Sequence, residues 1–256
     1  MDFIKVIELV KSAKKIIHNH DINQVQEKGE ADFVTEIDIA INKYLKSELN
    51  KLDSSINFFS EEEAGNLKDP CWILDPIDGT TNLIYGYNMS SISLGLYSNG
   101  CIVFGVVYNP YTDECFTAIK GKGAFCNNQK IMVSNRTINK SIIEFGAGST
   151  HKENADVNFE LAKDIFKHCV DIRRICSSAL SLCFIASGRI DGYFETILKP
   201  WDIAAGSLIL SEANGKITNY NGEKVEFSVP TSIIASNGII HDFLKDRILH
   251  HIGDKE

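Results

Sequence analysis

Residues 72–82 read WILDPIDGTTN, and this stretch decides how the chain around it must fold. An apolar strand runs into Asp75, Pro76 stiffens the turn that follows, and Asp78 stands three residues after Asp75. Gly79 allows a close approach of the backbone, and the threonines after it begin a helix. Asp-Pro and Asp-Gly pairs also occur in ordinary β-turns, so the pairs alone leave a purely structural interpretation open.

The same stretch carries groups that phosphate chemistry requires. The carboxylates of Asp75 and Asp78 can converge on hard cations, which prefer oxygen ligands, and the turn directs the carbonyl of Ile77 toward the same ions. The amides of Gly79 and Thr80 can receive phosphate oxygens at the start of the helix. The sequence therefore predicts a site for divalent cations and phosphate at this turn.

Three further acidic positions lie at the edges of predicted elements, and each also has an ordinary structural interpretation. Asp38 opens a helix for which Thr35 is a natural cap, so it can simply occupy an exposed first turn. Glu61 belongs to Ser60–Glu63 (SEEE), which reads as a capping box or as a solvated acidic run. Asp202 is a natural N-cap of the helix that follows it.

The combination of these positions favours a shared site. Like charges about 4 Å apart repel by several kcal/mol at an effective dielectric constant near ~20. Divalent cations would relieve that repulsion and would also attract phosphate. The carboxylates that we expect to converge are Asp38, Glu61, Asp75, Asp78 and Asp202.

Composition limits the partners and the compartment. The chain has 256 residues, 44% of them hydrophobic, and a formal net charge of −8, which argues against nucleic acid or an anionic membrane as a partner. Residues 1–20 mix acids, lysines and apolar residues, which indicates an amphipathic helix rather than a signal peptide. Seven cysteines without a C-x-x-C pair indicate reduced thiols in a cytoplasmic protein.

The first half of the chain changes from helices to strands. Apolar spacing predicts one helix over residues 3–17 and another over 37–49, separated by a polar loop at 18–32. From residue 56 short strands follow one another, and Asn99-Gly100 predicts a tight hairpin within a largely antiparallel block.

The second half alternates strands with helices, which indicates layered α/β packing. The predicted strands lie near 142–146, 172–175, 190–196, 216–220 and 232–236, and the predicted helices lie near 157–169, 178–187, 203–213 and the C-terminus. Without a low-complexity linker, residues 1–256 read as one domain, with an α+β half to about residue 140 and an α/β half from about 141.

Four strings, in this order, resemble the inositol monophosphatase family: DFVTEID (32–38), EE (61–62), DPIDGTTN (75–82) and WDIAAG (201–206). The third and fourth strings together are highly specific, and the resemblance extends along most of the chain. It implies an αβαβα sandwich, a homodimer, magnesium dependence and lithium sensitivity.

The resemblance also implies a role for each matching acid. Glu61, Asp75 and the carbonyl of Ile77 would hold one Mg²⁺, while Asp75, Asp78 and Asp202 would hold a second. Glu61 would contact a third, weaker ion, giving two or three ions in each site. Glu61, Ile77, Asp78 and Asp202 would also border the substrate.

Catalysis and phosphate binding are implied for neighbouring residues. Asp38 and Thr80 would orient and deprotonate the attacking water, with Glu61 as a further catalytic residue. The amides of Gly79 and Thr80 would bind the phosphate group.

Substrate contacts are implied in two other segments. Glu195 stands seven residues before Asp202, as does the family's carboxylate that bonds inositol hydroxyls, although an exposed strand-end acid is the alternative. Cys176, Ser177 and Ser178 match a stretch that is usually Gly-Thr-Ala or Gly-Ser-Ala. The cysteine in place of glycine is a departure that bears on the backbone geometry at the inositol contact.

The resulting hypothesis is hydrolysis of a small phosphorylated polyol or sugar, most specifically myo-inositol monophosphate. Fructose-1,6-bisphosphatase or broad sugar-phosphate phosphatase activity is the nearest alternative. A 3′-phosphoadenosine 5′-phosphate phosphatase is disfavoured because those relatives tend to carry Lys-Glu where this chain has Thr81-Asn82. A non-catalytic protein that binds sugar phosphates or cations is the alternative from a different class.

Overall fold

The fold is described from a computed structural model, which covers residues 1–19, 25–29, 32–63, 65–148 and 151–253. Five layers alternate between helices and sheets. None of the helices in these ranges has the length and apolar content needed to cross a bilayer.

The first layer is helical. It contains α1 (Phe3–Ser12), α2 (Lys14–Asn19) and α3 (Glu36–Leu52), and a small antiparallel pair of strands, β1 (Val25–Gly29) and β2 (Asp32–Thr35), precedes α3. The single N-terminal helix that we predicted is therefore two helices that meet at Ala13. The predicted loop over 18–32 is wrong at 18–19, which end α2, at 25–29, which form β1, and at 32, which begins β2, while residues 20–24 and 30–31 lie outside the described ranges.

The second layer is a seven-stranded sheet whose strands follow chain order, with β3 and β4 parallel and every other pair antiparallel. A short helix, α4 (Thr80–Ile84), follows β4. The Asn99-Gly100 hairpin between β5 and β6 is confirmed, and both residues have the positive φ that such a turn requires. The strands are β3 (Asn57–Ser60), β4 (Cys71–Asp78), β5 (Ser91–Ser98), β6 (Cys101–Asn109), β7 (Glu114–Ile119), β8 (Ala124–Cys126) and β9 (Gln129–Ile131).

The remaining layers come from the second half of the chain. A five-stranded sheet of order β11-β10-β12-β14-β13 contains β10 (Ile142–Phe145), β11 (Asp171–Arg173), β12 (Gly192–Leu198), β13 (Lys216–Thr218) and β14 (Thr231–Ser236). The helices around this sheet are α5 (Ala155–Phe166), α6 (Ser178–Ala186), α7 (Pro200–Glu212) and α8 (His241–Gly253).

Three apolar clusters define how the layers stack. One joins α1 and α3 to one face of the seven-stranded sheet, and a second places α6 and α7 between the two sheets. The third joins the outer face of the five-stranded sheet to α5 and α8. The expected αβαβα sandwich is confirmed. Because the central cluster contains side chains from both halves, we propose that the halves form a single folding unit.

Helix α7 lies unusually close to the seven-stranded sheet because glycines face it. A Cβ added at Gly105 would lie 2.7 Å from the carbonyl oxygen of Ala205, and one added at Gly95 would lie 3.2 Å from the Cβ of Ala204. These contacts set the height of α7, and hence of Asp202, above the sheet.

We expect Gly105→Ala to reduce the free energy of unfolding by about 1–3 kcal/mol, because the added methyl group meets backbone atoms that cannot rotate away. Urea denaturation measures the change. Gly65→Ala is the matched control, since no atom of the described residues lies within 4 Å of its added Cβ, and it should change stability by less than about 0.5 kcal/mol. Equal effects of the two substitutions would contradict the close packing of α7.

Candidate active site

A bulge in β4 brings two aspartates together. The strand does not end at Asp75, as we predicted, but continues through Asp78. Asp75 pairs with Ser93 and Asp78 with Ser91, so three steps along β4 match two along β5. Residues three apart in a regular strand face opposite sides of a sheet, and one extra residue restores a common side. The bulge therefore allows the carboxylates of Asp75 and Asp78 to share one pocket.

Asp38 divides its two oxygens between the fold and the site. Its Oδ2 accepts a hydrogen bond of 2.9 Å from the amide of Thr35 and another from the Thr35 hydroxyl, which completes the capping box of α3. Its Oδ1 lies 3.3 Å from Oγ1 of Thr80, which also lies 3.0 Å from the carbonyl oxygen of Ile77. Asp38 is only 1% exposed rather than solvated. This burial raises its pKa to about 6 although the bonds from Thr35 lower it.

Asp202 has a similar arrangement, which corrects its predicted role as an N-cap. Helix α7 begins at Pro200, so Asp202 is the third helical residue, and its Oδ2 accepts a 2.7 Å hydrogen bond from the amide of Lys199. Loss of solvation and the charge of Asp78 raise the pKa of Asp202 well above its usual value. The other carboxylate oxygen of Asp202, Oδ1, takes no part in the capping of α7.

The alternative interpretation of Ser60–Glu63 as a capping box is wrong, because no helix begins at these described residues. Ser60 ends β3 and forms an isolated bridge with Glu63, whose carboxylate accepts a 2.8 Å hydrogen bond from Asn42 and pairs with Lys46. Glu61 follows the strand, and its amide donates to the carbonyl of Leu74 at 3.3 Å. This bond places Glu61 directly beside β4.

The start of α6 surrounds Asp78 with donors. The amides of Ser178 and Ala179 donate to its two oxygens at 3.1 and 3.0 Å. The hydroxyl of Ser177 donates to Oδ2, and the hydroxyl of Ser91 donates to the same oxygen at 3.3 Å. Burial nevertheless raises the pKa of Asp78 to about 6. The orientation of this carboxylate therefore depends on where α6 begins.

The acidic side chains interact electrostatically as one group. Burial is the largest cause that raises the pKa of Asp75, followed by the charges of Glu61, Asp78, Asp202 and Asp38. The structure thus brings all five predicted carboxylates into one neighbourhood. Their individual roles remain predictions.

The donor set fits a divalent cation. Oδ1 of Asp75 is buried and has no hydrogen-bond partner among the described residues, which is costly for a charged oxygen unless an ion binds it. Hard oxygen donors of this kind suit Mg²⁺. Within the described ranges no group of three or more His, Cys, Asp or Glu side chains already has the arrangement of a metal site. The fit to a divalent cation therefore depends on the chemistry of the carboxylate oxygens.

Gly79 and Cys176 meet beside this pocket. Gly79 has φ +90°, and a Cβ there would lie 3.1 Å from the carbonyl oxygens of Cys176 and Met89. Cys176 also has a left-handed backbone, with φ +57°. The cysteine thus occupies a conformation that favours glycine, and its side chain is exposed at the site.

Glu195 connects to the pocket through Tyr193. The hydroxyl of Tyr193 donates to Oε2 of Glu195 and lies 3.0 Å from Oγ of Ser178, while the amide of Gly148 donates to Oε1 of Glu195 at 3.3 Å. Burial raises the pKa of Glu195. Glu195 is therefore partly buried within β12 and is not an exposed acid at the end of a strand.

The sequence did not identify all the residues that shape the site. Ser91 and Tyr193 orient two of its carboxylates, and Asn82 connects the turn after β4 to the segment before α6 through a 2.6 Å bond to the carbonyl of Ile175. Asn82 was within the quoted motif, but only the fold shows its distant partner.

This combination of a layered sandwich with a cluster of acidic side chains beside the turn after β4 is that of a metal-dependent phosphatase fold. The sequence from residue 3 to residue 255 matches the model of the inositol monophosphatase family. The chain belongs to that family, whose members depend on Mg²⁺.

Two curated relatives illustrate the similarity. Inositol monophosphatase 2 of Solanum lycopersicum is 36% identical over 100% of this chain and 99% of its own length. The Thermotoga maritima protein described as fructose-1,6-bisphosphatase/inositol-1-monophosphatase is 35% identical over 94% of this chain and 93% of its own.

Solved structures are similar over nearly the whole chain. An inositol monophosphatase structure from Thermotoga maritima has a TM-score of 0.91 at 32% identity, covering 99% of both chains. The structure of an IMPase/NADP phosphatase complexed with Mg²⁺ and phosphate has a TM-score of 0.87 at 25% identity, covering 95% of this chain and 93% of the other.

We expect Asp75→Asn to raise the melting temperature in metal-free buffer by about 3 °C or more, because a neutral amide removes a buried charge from among like charges. The same substitution should abolish the increase in melting temperature that Mg²⁺ produces. Differential scanning calorimetry with EDTA and with MgCl₂ measures both. Asp246→Asn, at an exposed position on α8, should leave both values unchanged. A destabilised variant that still responds to Mg²⁺ would contradict the convergence of the carboxylates.

Proposed function

We propose that this protein is a Mg²⁺-dependent phosphatase that hydrolyses myo-inositol monophosphate to inositol and phosphate with an activated water. The observation that carries the proposal is the electrostatic interaction of Asp75 with the other four carboxylates, together with its buried Oδ1, which has no hydrogen-bond partner among the described residues. Membership of the inositol monophosphatase family supports the same activity.

The acidic pocket would hold two or three Mg²⁺ ions. The carboxylates of Glu61, Asp75, Asp78 and Asp202 would bind them, together with the carbonyl oxygen of Ile77. Bound Mg²⁺ would lower the pKa of a water molecule and stabilise the negative charge on the phosphoryl and leaving oxygens.

Thr80 and Asp38 are placed to act on the attacking water. With its proton directed to Oδ1 of Asp38, Oγ1 of Thr80 can accept a hydrogen bond from water. Because burial raises the pKa of Asp38 to about 6, its carboxylate is a stronger base than an exposed aspartate. Near neutral pH it can take up a proton from the water through the Thr80 hydroxyl. The water then attacks phosphorus in line with the departing alkoxide.

In-line attack requires the polyol to lie on the far side of phosphorus from this water. The amides of Gly79 and Thr80 would bind phosphate oxygens. Glu195 would accept hydrogen bonds from the polyol hydroxyls, and Cys176, Ser177 and Ser178 would border the same ring. Tyr193 supports this assignment because it holds Glu195 in place beside Ser178.

Fructose 1,6-bisphosphate is the second candidate substrate. A relative that is 35% identical along nearly its full length is described with both the fructose bisphosphatase and the inositol monophosphatase activity. The two substrates share the phosphate monoester and differ in the polyol that Glu195 would contact.

The family resemblance and the cysteine content extend the proposal to inhibition, oligomeric state and location. We propose inhibition by lithium and a homodimer by analogy with the family. The seven free cysteines support a cytoplasmic location.

We expect phosphate release from inositol 1-phosphate to require Mg²⁺ and to have the highest kcat/KM in a panel that also contains fructose 1,6-bisphosphate and 3′-phosphoadenosine 5′-phosphate. Asp75→Asn should lower kcat by about 100-fold or more, because several kcal/mol of transition-state stabilisation depend on the bound metal. Asp246→Asn again serves as the control. A higher kcat/KM for fructose 1,6-bisphosphate would select the second candidate, and no release from any substrate would favour a non-catalytic binding protein.

A further inference from the structure

Ile175, in the segment that leads into α6, is held by hydrogen bonds at both its amide and its carbonyl group. The amide nitrogen of Ile175 donates a 2.9 Å hydrogen bond to Oε1 of Glu144. The carbonyl oxygen of Ile175 accepts a 2.6 Å hydrogen bond from Nδ2 of Asn82. A carboxyl group from the five-stranded sheet and an amide from the turn after β4 thus fix the same residue.

Glu144 is an unusual residue for its place in the fold. It lies on β10 between β11 and β12, and it is 2% exposed. Its strand neighbours Ile143 and Phe145 belong to the outer cluster with α5 and α8, so Glu144 faces the central helices. Burial raises the pKa of Glu144 to about 7, assisted by the charges of Glu195 and Asp78. Its Oε2 is buried without a hydrogen-bond partner in the described part of the chain.

A carboxyl group in this environment costs stability. A buried carboxyl oxygen without a hydrogen-bond partner is destabilising, and an apolar side chain at this position would avoid that loss. The proposed mechanism makes no use of Glu144. Its contact with Ile175 is therefore the property that needs explanation.

The segment that Ile175 begins leads directly to the acidic pocket. Cys176 follows with its left-handed φ of +57°, and its carbonyl oxygen lies against Gly79. The next three residues donate to the carboxylate of Asp78 through the Ser177 hydroxyl and the amides of Ser178 and Ala179. Any shift of Ile175 would be transmitted to these donors within one turn of backbone.

We infer that Glu144 is a positioning residue of the active site: with Asn82 it clamps Ile175, and the clamp keeps the start of α6 in place to orient Asp78 for Mg²⁺. The inference rests on the proposed function, because it assigns Asp78 to the metal. Glu144 touches neither substrate nor ion and acts through Ile175. The acceptor oxygen, rather than the negative charge, is the property that the clamp requires.

The test compares Glu144→Leu, which removes the acceptor, with Glu144→Gln, which keeps an amide oxygen in its place. Three quantities are measured: hydrogen exchange of the backbone amides at 175–179, the MgCl₂ concentration that gives half of the thermal shift, and kcat with KM. For Glu144→Leu we expect exchange at least about tenfold faster, about a tenfold higher half-saturating Mg²⁺ concentration, and kcat lower by about 10- to 100-fold, since small displacements in an active site have effects of this size. KM should change less than kcat. Glu144→Gln should stay within about twofold of the wild type in all of them.

Asp191→Asn is the matched control for a general loss of stability. Asp191 is also a buried carboxylate that accepts a backbone hydrogen bond, 2.9 Å from the amide of Ile142, and it pairs with Arg136 away from the pocket. This variant should melt at a lower temperature without a change in the Mg²⁺ requirement. The inference is overturned if Glu144→Leu behaves like Asp191→Asn, or if Glu144→Gln is as impaired as Glu144→Leu.

A third variant keeps the test decisive if Glu144→Leu does not fold. Glu144→Asp retains the charge but withdraws the acceptor by one methylene group, and it should raise both the exchange at 175–179 and the Mg²⁺ requirement. Wild-type values in Glu144→Asp would overturn the inference. If the wild-type protein releases no phosphate, the proposed function is wrong. Hydrogen exchange at 175–179 would still decide whether Glu144 holds Ile175 in place.

Discussion

Repulsion among carboxylates in a pocket shielded from water is the constraint on which the rest of this structure depends. Each of these side chains would be more stable in solvent, and each raises the free energy of ionising its neighbours. The fold must therefore hold them together by means other than their own interactions. It does so with a bulge in a buried strand and with helices that begin at the pocket.

Two of the aspartates contribute to the fold and to the site at once. Asp38 and Asp202 are each the third residue of a helix, and in each case Oδ2 accepts the backbone amide of the preceding cap residue. One oxygen of each carboxylate is thereby fixed, and the direction of the other follows from planarity. The ordinary role of an acid at the start of a helix and its proposed role in the site are thus compatible in the same side chain, because capping fixes the direction of the carboxylate.

Much of the fold and of the candidate site could be predicted from local patterns. Strand and helix periodicity indicated layered α/β packing, the family resemblance implied the αβαβα order, and the string from Asp75 to Asn82 located the acidic site. The bulge could not be predicted, because it depends on the register between β4 and β5. The contact of Glu144 with Ile175 joins residues 31 apart, and nothing in either local sequence indicates the other. The hairpin at β1 was missed because its polar residues lack the alternation that marks a buried strand.

The glycines beneath α7 have a consequence for how the sequence can change over time. Because main chain rests on main chain at Gly105, the separation between α7 and the sheet is independent of side-chain rotamers. Apolar residues elsewhere in the central cluster can therefore be exchanged for others of similar volume while the spacing of Asp202 from the opposite carboxylates is preserved. A catalytic distance fixed by backbone contact tolerates drift in the surrounding core, and the same glycines are the positions least free to vary.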